Sequence, residues 1–388
     1  MNGWYLLAAI PVFGLLVFVH EFGHFATAKW SGIRVEEFGF GFPPRLFGIK
    51  RGETIYSINW IPLGGFVRMP GENGEMTDEA GNFDSGSFAS KPAWRRALVL
   101  VAGVTMNFLL ALVLFGAAFA TGESGYSPVI KYVCYGAPAQ VAGLATGDKV
   151  LQVAGQPVTL TTDVIQDVET QVAASGNTHG NPVPVSLLVQ HPNGSTQMLT
   201  IDARTNDVSA LACTNAQGTT LKDPQSGAPL TGQGRMGIVF DTKAPIVTKH
   251  YPVTQIPGLA ISQVGVMLGG FADLIRSLVG GALHVQVAGP IGIVHLTGEV
   301  ASEVPQFGWF PLLNLTGLLS LNLAIINILP FPALDGGRLA LLGLEVVRRG
   351  KRLNPRYEGM IHLVGMALLL LLVVLISWND IGTWISQR

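Results

Sequence analysis

Two histidines and a glutamate in Val19-His20-Glu21-Phe22-Gly23-His24-Phe25 have the types and the spacing for metal chemistry. Residues i and i+4 share one face of a helix. A helix here would therefore aim both imidazoles at one point, with a carboxylate beside the first. In a His-Glu-x-x-His run the imidazoles bind zinc and the glutamate acts as general base toward a water, which is hydrolytic chemistry. A catalytic zinc typically takes three protein ligands and keeps one position open. The candidate for the third is Asp335, in Asn327-Ile328-Leu329-Pro330-Phe331-Pro332-Ala333-Leu334-Asp335-Gly336-Gly337-Arg338, the only acid between Glu303 and Glu345. Pro330 and Pro332 break a helix before it. Gly336-Gly337 gives the backbone room to approach the first helix. The same aspartate could instead cap a helix that begins at Gly336, and the two roles are compatible.

The element that must carry the histidines is unusual. Trp4 to Val19 has no charge and is almost wholly apolar, and continued to Trp30 the run is long enough to cross a bilayer. A charge near the bilayer centre costs about 2.5–3.5 kcal/mol on insertion scales, so an ionisable group there marks a functional site by default. Glu21 needs a partner or a water-filled cavity. The composition agrees: 13% of the 388 residues are charged and 48% hydrophobic, whereas soluble domains run about 25% charged. That balance implies a membrane protein with a soluble part. A net charge of −1 and the lack of a basic stripe argue against nucleic acid as a partner. The N-terminus lacks a positive region and a small-x-small cleavage site, so the first apolar run reads as a retained helix.

Four apolar stretches read as spans, at about 4–30, 97–119, 312–334 (running into 339–347) and 361–378. Tryptophans mark several ends, as at membrane interfaces. Basic residues cluster after the first span, from Lys29 to Arg96, and after the third, from Arg348 to Arg356. The positive-inside rule makes both segments cytoplasmic, so both termini and the long segment after Gly122 face outward. Residues 32–70 alternate at Thr54–Trp60 between Gly and Pro signals, which predicts a membrane-associated β-hairpin. Residues 71–90 read as a solvated loop. Residues 257–283 are apolar at helical spacing but carry Asp273 and Arg276, which fits an amphipathic helix on the membrane surface better than a fifth span. His179, His191, His250, His284, His295 and His362 lack metal-ligand spacing and read as structural or solvated.

Taken together, these motifs resemble the site-2 proteases, the intramembrane zinc metalloproteases, of the bacterial RseP-like type. The resemblance is carried by His20-Glu21-Phe22-Gly23-His24, by Ile61-Pro62-Leu63-Gly64-Gly65-Phe66-Val67-Arg68-Met69, by Asn107 in the second apolar run, and by the Asn-x-x-Pro-x-Pro-x-Leu-Asp-Gly-Gly run at 327–337. It implies that His20, His24 and Asp335 bind Zn2+ and that Glu21 is the catalytic base. Residues 136–158, with Gly136-Ala137-Pro138-Ala139 and Ala142-Gly143-Leu144-Ala145-Thr146-Gly147-Asp148, are similar to a bacterial PDZ domain. Two departures stand out: Gly103-Val104 where relatives often have Gly-Pro, and an insertion at 206–234 that contains Cys213.

The expected architecture is a mainly α-helical membrane protein. It has about four transmembrane helices, a β-hairpin region and an extracytoplasmic α+β PDZ domain. The divisions are a membrane core at 1–126 with the hairpin at 32–70, the PDZ domain at 127–245, an amphipathic surface segment at 246–310, and the rest of the core at 311–388. The resemblance implies cleavage of single-span membrane proteins in a bacterial cytoplasmic membrane, anti-sigma factors after a first clip among them. A membrane metal transporter or a catalytically dead PDZ adaptor is the alternative. No internal repeat of the kind transporters use is visible. A substrate helix must unwind to be cut. The strand at Ile55 and Ser57 could hold it by edge pairing, or be only part of a structural hairpin. Asn107, Asn322 and Asn327 could bind its backbone, or glue helices together. Cys134 and Cys213 both fall on the side read as outer, where a disulfide can form; their distance is not legible in sequence.

Overall fold

The computed structural model describes residues 3–72, 84–176, 181–205, 213–215, 217–222, 229, 235–280, 289–350 and 355–386. Residues 73–83 of the expected loop, His179, His284 and most of the 206–234 insertion lie outside the described residues. The chain divides into two compact units, one made of Met1–Thr121 with Tyr251–Arg388 and the other of Gly122–His250.

A 3-10 turn, Gly3–Ala8, leads into helix α1, Ala9–Trp30. Gly32, at φ +69°, turns the chain out of α1. Strands β1 (Glu37–Arg51) and β2 (Thr54–Arg68) then form the expected hairpin, but a folded one. Glu37 pairs with both Ile55 and Arg68, Phe40 with both Ile58 and Gly65, and Ile49 with Tyr56. The result is four short rows side by side in the order 65–68, 37–40, 55–58 and 47–50. Helix α2, Ala93–Thr121, follows Pro92 and runs without a break through Gly103-Val104.

The second unit is α+β. Strand β3 (Glu123–Tyr126) pairs with β10 (Ile246–Lys249), and β4 (Ile130–Val133) with β9 (Ile238–Phe240). A four-stranded antiparallel sheet is formed by β5 (Lys149–Val153), β6 (Gln156–Pro157), β7 (Val183–Gln190) and β8 (Thr196–Ala203), in the order β6-β5-β7-β8. Period-2 alternation buries Val183, Val185, Leu187 and Val189 on one face. The short helix α3 (Pro138–Val141) and the longer α4 (Thr161–Ala174) complete the unit. Helix α4 seals the core with Val164, Val168 and Val172. Cys134 and Cys213 are joined by a disulfide, which ties the inserted segment to this unit.

The first unit resumes with α5 (Ile256–Val279), α6 (Pro290–Phe307), α7 (Phe310–Ile328), α8 (Asp335–Val347) and α9 (Pro355–Ser386). Among the described residues, five helices are long and apolar enough to cross a membrane, one more than expected: Tyr5–Trp30, Ala93–Thr121, Ile256–Ser277, Phe310–Ile328 and Tyr357–Trp378. The addition lies in α5, the stretch read from sequence as surface-lying. Its two charges, Asp273 and Arg276, neutralise each other as an i,i+3 pair at 2.6 Å, so they weigh less against a span than two separate charges would. Helix α2 is the centre of this unit and packs against α1, α5, α7 and α8. The third apolar run is two helices, because Pro330 and Pro332 end α7 and α8 restarts at Asp335.

Candidate metal centre

The face of α1 that meets α2 carries His20 and His24, both 7% exposed. The helices approach closely because glycines line the contact. A Cβ on Gly23 would lie 2.5 Å from the Ala102 carbonyl oxygen, and one on Gly103 would lie 2.4 Å from His24 Nε2. The His24 Nδ1 donates to the Val99 carbonyl at 2.8 Å. A carbonyl only accepts, so Nδ1 holds a proton and Nε2 is turned toward the centre. His20 Nδ1 lies 3.2 Å from Asn107 Nδ2 on α2.

Asp335 arrives from the other end of the chain. Leu329 is extended, as a residue before proline must be. Ala333, at φ +79°, donates its N–H to His362 Nδ1 on α9 at 3.2 Å. The turn rests on α9 at Gly365, where a Cβ would come within 2.3 Å of Pro332 Cβ. The double glycine serves this turn: a Cβ on Gly336 would lie 2.3 Å from the Ile328 and Leu329 carbonyl oxygens, and one on Gly337 2.2 Å from that of Phe331. The N-cap of α8 is Leu334, and no side chain caps it. Asp335 is instead the first residue of the helix, and its carboxylate goes to the imidazoles. Two ion pairs hold α8 in place: Arg338 with Glu72, and Arg96 of α2 with both carboxylate oxygens of Glu345 at 2.9 and 2.6 Å.

The donor atoms form a small triangle. Asp335 Oδ2 is 3.0 Å from His20 Nε2 and 3.2 Å from His24 Nε2, and the two Nε2 atoms are 3.2 Å apart. Ligands of a tetrahedral zinc, each about 2.0–2.2 Å from the metal, lie about 3.4 Å from one another. The triangle is close to one face of that tetrahedron. His20, His24 and Asp335 are the group of metal-type side chains that could hold an ion among the described residues. Two imidazoles and a carboxylate suit zinc. Half-buried Glu21 turns toward the hairpin, where a Cβ on Gly65 would lie 3.5 Å from its Cγ.

The other sequence candidates separate. Asn107 is fully buried beside His20. Asn322 and Asn327 lie half-buried on α7, with no side-chain hydrogen bond among the described residues. Ile55 and Ser57 sit in an inner row of the hairpin, flanked by residues 37–40 and 47–50, so their backbone has no free edge to offer a peptide. Ser57 Oγ donates to Glu37 Oε1 at 2.7 Å, and Arg45 joins the same carboxylate at 2.7 Å. Burial opposes the charge on Glu37, but the Ser57 hydroxyl and the Arg45 guanidinium outweigh it and hold the carboxyl below its usual range. Sequence reasoning missed the Val99 carbonyl, Gly103, His362 and the Arg338–Glu72 pair. Of these, only Gly103 carried a local signal, as the first residue of a Gly-x-x-x-Asn run ending at Asn107.

The family model described as peptidase family M50 matches residues 8–372. The zinc metalloprotease RasP of Geobacillus kaustophilus is 29% identical over 97% of this chain and 97% of its own. The zinc metalloprotease RasP of Bacillus licheniformis is also 29% identical, over 97% of this chain and 98% of its own. The regulator of sigma-W protease RasP of Bacillus subtilis is 27% identical over the same shares. Since the match begins at the first turn of α1, ends far along α9 and takes in every donor of the triangle, the chain belongs to peptidase family M50.

Proposed function

We propose that this chain is a zinc-dependent intramembrane protease that cuts single-span membrane proteins. The convergence of His20, His24 and Asp335 within 3.0–3.2 Å of one another carries the proposal. In this reading the three residues hold Zn2+ and Glu21 is the catalytic base. Zinc bound there supplies Lewis acidity toward a peptide carbonyl and lowers the pKa of a water toward neutrality. Glu21 takes the proton of the attacking water and passes it to the departing amine. The Val99 carbonyl holds His24 in the tautomer that turns Nε2 to the centre.

A peptide bond inside a transmembrane helix is shielded by its own helical hydrogen bonds, so the substrate must be extended before it is cut. The outer row 65–68 of the hairpin pairs only with 37–40 among the described residues and passes beside Glu21. An extended peptide added along that row would reach the base. Residues 55–58 cannot play this part, being paired on both sides. The half-buried Asn322 and Asn327 are candidates to bind the unwound backbone.

Residues 122–250 are read as a PDZ-type domain outside the cytoplasm of a bacterial cell, with the rest in the cytoplasmic membrane. The Cys134–Cys213 disulfide supports this, since such bonds persist in oxidising compartments. The sigma-W name of the Bacillus subtilis relative supports a single-span regulator of transcription, such as an anti-sigma factor, as substrate. The test is cleavage of a single-span substrate by wild type and by Glu21→Gln, with the zinc content of each. Loss of cleavage with zinc retained is expected. Undiminished cleavage would overturn the reading.

A further inference from the structure

Asn107 is fully buried on α2, its Oδ1 has no hydrogen-bond partner, and its Nδ2 lies 3.2 Å from His20 Nδ1. The oxygen and nitrogen of an amide have nearly the same shape, so which one faces a neighbour follows from the hydrogen-bond network. With Nδ2 toward the ring, His20 Nδ1 must accept, and the ring proton sits on Nε2. That atom is 3.0 Å from Asp335 Oδ2 and 3.2 Å from His24 Nε2. A protonated Nε2 cannot donate its lone pair to a metal. Half a turn of the amide brings Oδ1 to His20 Nδ1, which then carries the proton and donates it, leaving the Nε2 lone pair for the centre. His24 already stands in the equivalent state through the Val99 carbonyl.

We infer that Asn107 is a positioning residue for the metal: its Oδ1 accepts the Nδ1 proton of His20 and so fixes the ring in its ligating tautomer. This rests on the reading of His20, His24 and Asp335 as the zinc ligands. It differs from a role in binding substrate, which would need the amide to face the peptide, and from a role as helix glue alone, which would hold α1 to α2 without fixing the tautomer of His20. The link from α2 to α7 at this level is made without the side chain, by Ser320 Oγ donating to the Asn107 carbonyl oxygen at 2.8 Å. A partner holding the second nitrogen of a ligating histidine typically changes metal affinity 10–100-fold.

The experiment compares wild type, Asn107→Leu, Asn107→Asp and His20→Ala as purified full-length chains in detergent. Zinc content is read after equilibration with a graded series of a zinc chelator. Leucine keeps the bulk and removes the acceptor; aspartate keeps an acceptor oxygen. The expected result is that Asn107→Leu releases zinc at chelator strengths 10–100-fold lower, while Asn107→Asp stays within a few-fold of wild type. Leucine holding zinc like wild type, or aspartate losing it as readily as leucine, would overturn the inference. If Asn107→Leu does not fold, the aspartate arm decides alone, since a folded Asn107→Asp that sheds zinc refutes it. His20→Ala separates the two levels. Zinc retained in that variant would sink the ligand assignment itself, whereas zinc lost there but kept in Asn107→Leu would sink only the role of Asn107.

Discussion

At the scale of single residues, the centre divides into groups whose loss should be told apart by metal content. Glu21→Gln is expected to keep zinc and lose about 10²–10⁴-fold in turnover, the usual worth of general acid–base catalysis; metal analysis beside a cleavage assay checks it. Asp335→Asn should lose both, because a neutral amide is a poorer ligand than a carboxylate; tight zinc in that variant would move the third ligand elsewhere. Gly103→Ala should also lower zinc content, though it removes no ligand. Its Cβ would stand 2.4 Å from His24 Nε2 and 2.8 Å from His20 Cε1, and would push both imidazoles out of place. The two histidines were legible because i,i+4 spacing is a local property of a helix. Asp335 was legible because proline and glycine advertise a break. Val99 left no trace, since a carbonyl is common to every residue and only the packing of α2 on α1 selects it. Ile55 and Ser57 misled because alternation reveals a strand but not which of its edges is free.

At the scale of elements, α8 is the part whose placement matters most, and a buried ion pair holds it. Arg96 and Glu345 join α2 to α8 through two short bonds, with both side chains largely buried. Removing one partner strands a charge, at a typical cost of about 3–5 kcal/mol, whereas replacing both with apolar groups is often neutral. Arg96→Ala should therefore lower the thermal inactivation midpoint in detergent well below that of the paired Arg96→Met, Glu345→Leu variant. In the other unit, His191 Nδ1 meets the buried Asp148 at 2.7 Å. The hydrogen bond to Asp148, with a second to Gln197, raises the imidazole above its ordinary value of 6.5. Its contribution is full below that ordinary value and is lost as pH rises through the raised one. Proteolytic nicking within 122–250 should accordingly quicken as pH rises above 6.5 in wild type, and His191→Ala should flatten that dependence. The strands β7 and β8 carry their signal locally in alternation, and helix α4 in the i,i+4 spacing of Val164, Val168 and Val172. The short β6, β9 and β10 do not, because two to four residues hold too little pattern to stand out. Helix α5 reads as surface-lying in sequence because Asp273 and Arg276 count as two charges, and the ion pair between them is not legible there.

At the scale of the whole molecule, the α+β unit is inserted between α2 and α5 and is expected to act as a gate against substrates with bulky outer portions. Deleting 122–250 should allow an intact substrate to be cut while one already trimmed is still cut. Failure of a folded deletion variant on the trimmed substrate would favour a binding role instead. The order of the chain has a further effect on how the protein is made. The two donors on α1 and the one at α8 are separated by as many as 315 positions. At about 5–20 residues per second, a ribosome that has released His20 needs roughly 15–60 s more to reach Asp335. Throughout that interval the chain carries the two histidines and the glutamate of α1 without the carboxylate of Asp335. If His20, His24 and Asp335 are the zinc ligands, a chain lacks the third of them until α8 is made, and a chain truncated before α8 is expected to be inactive in a cleavage assay.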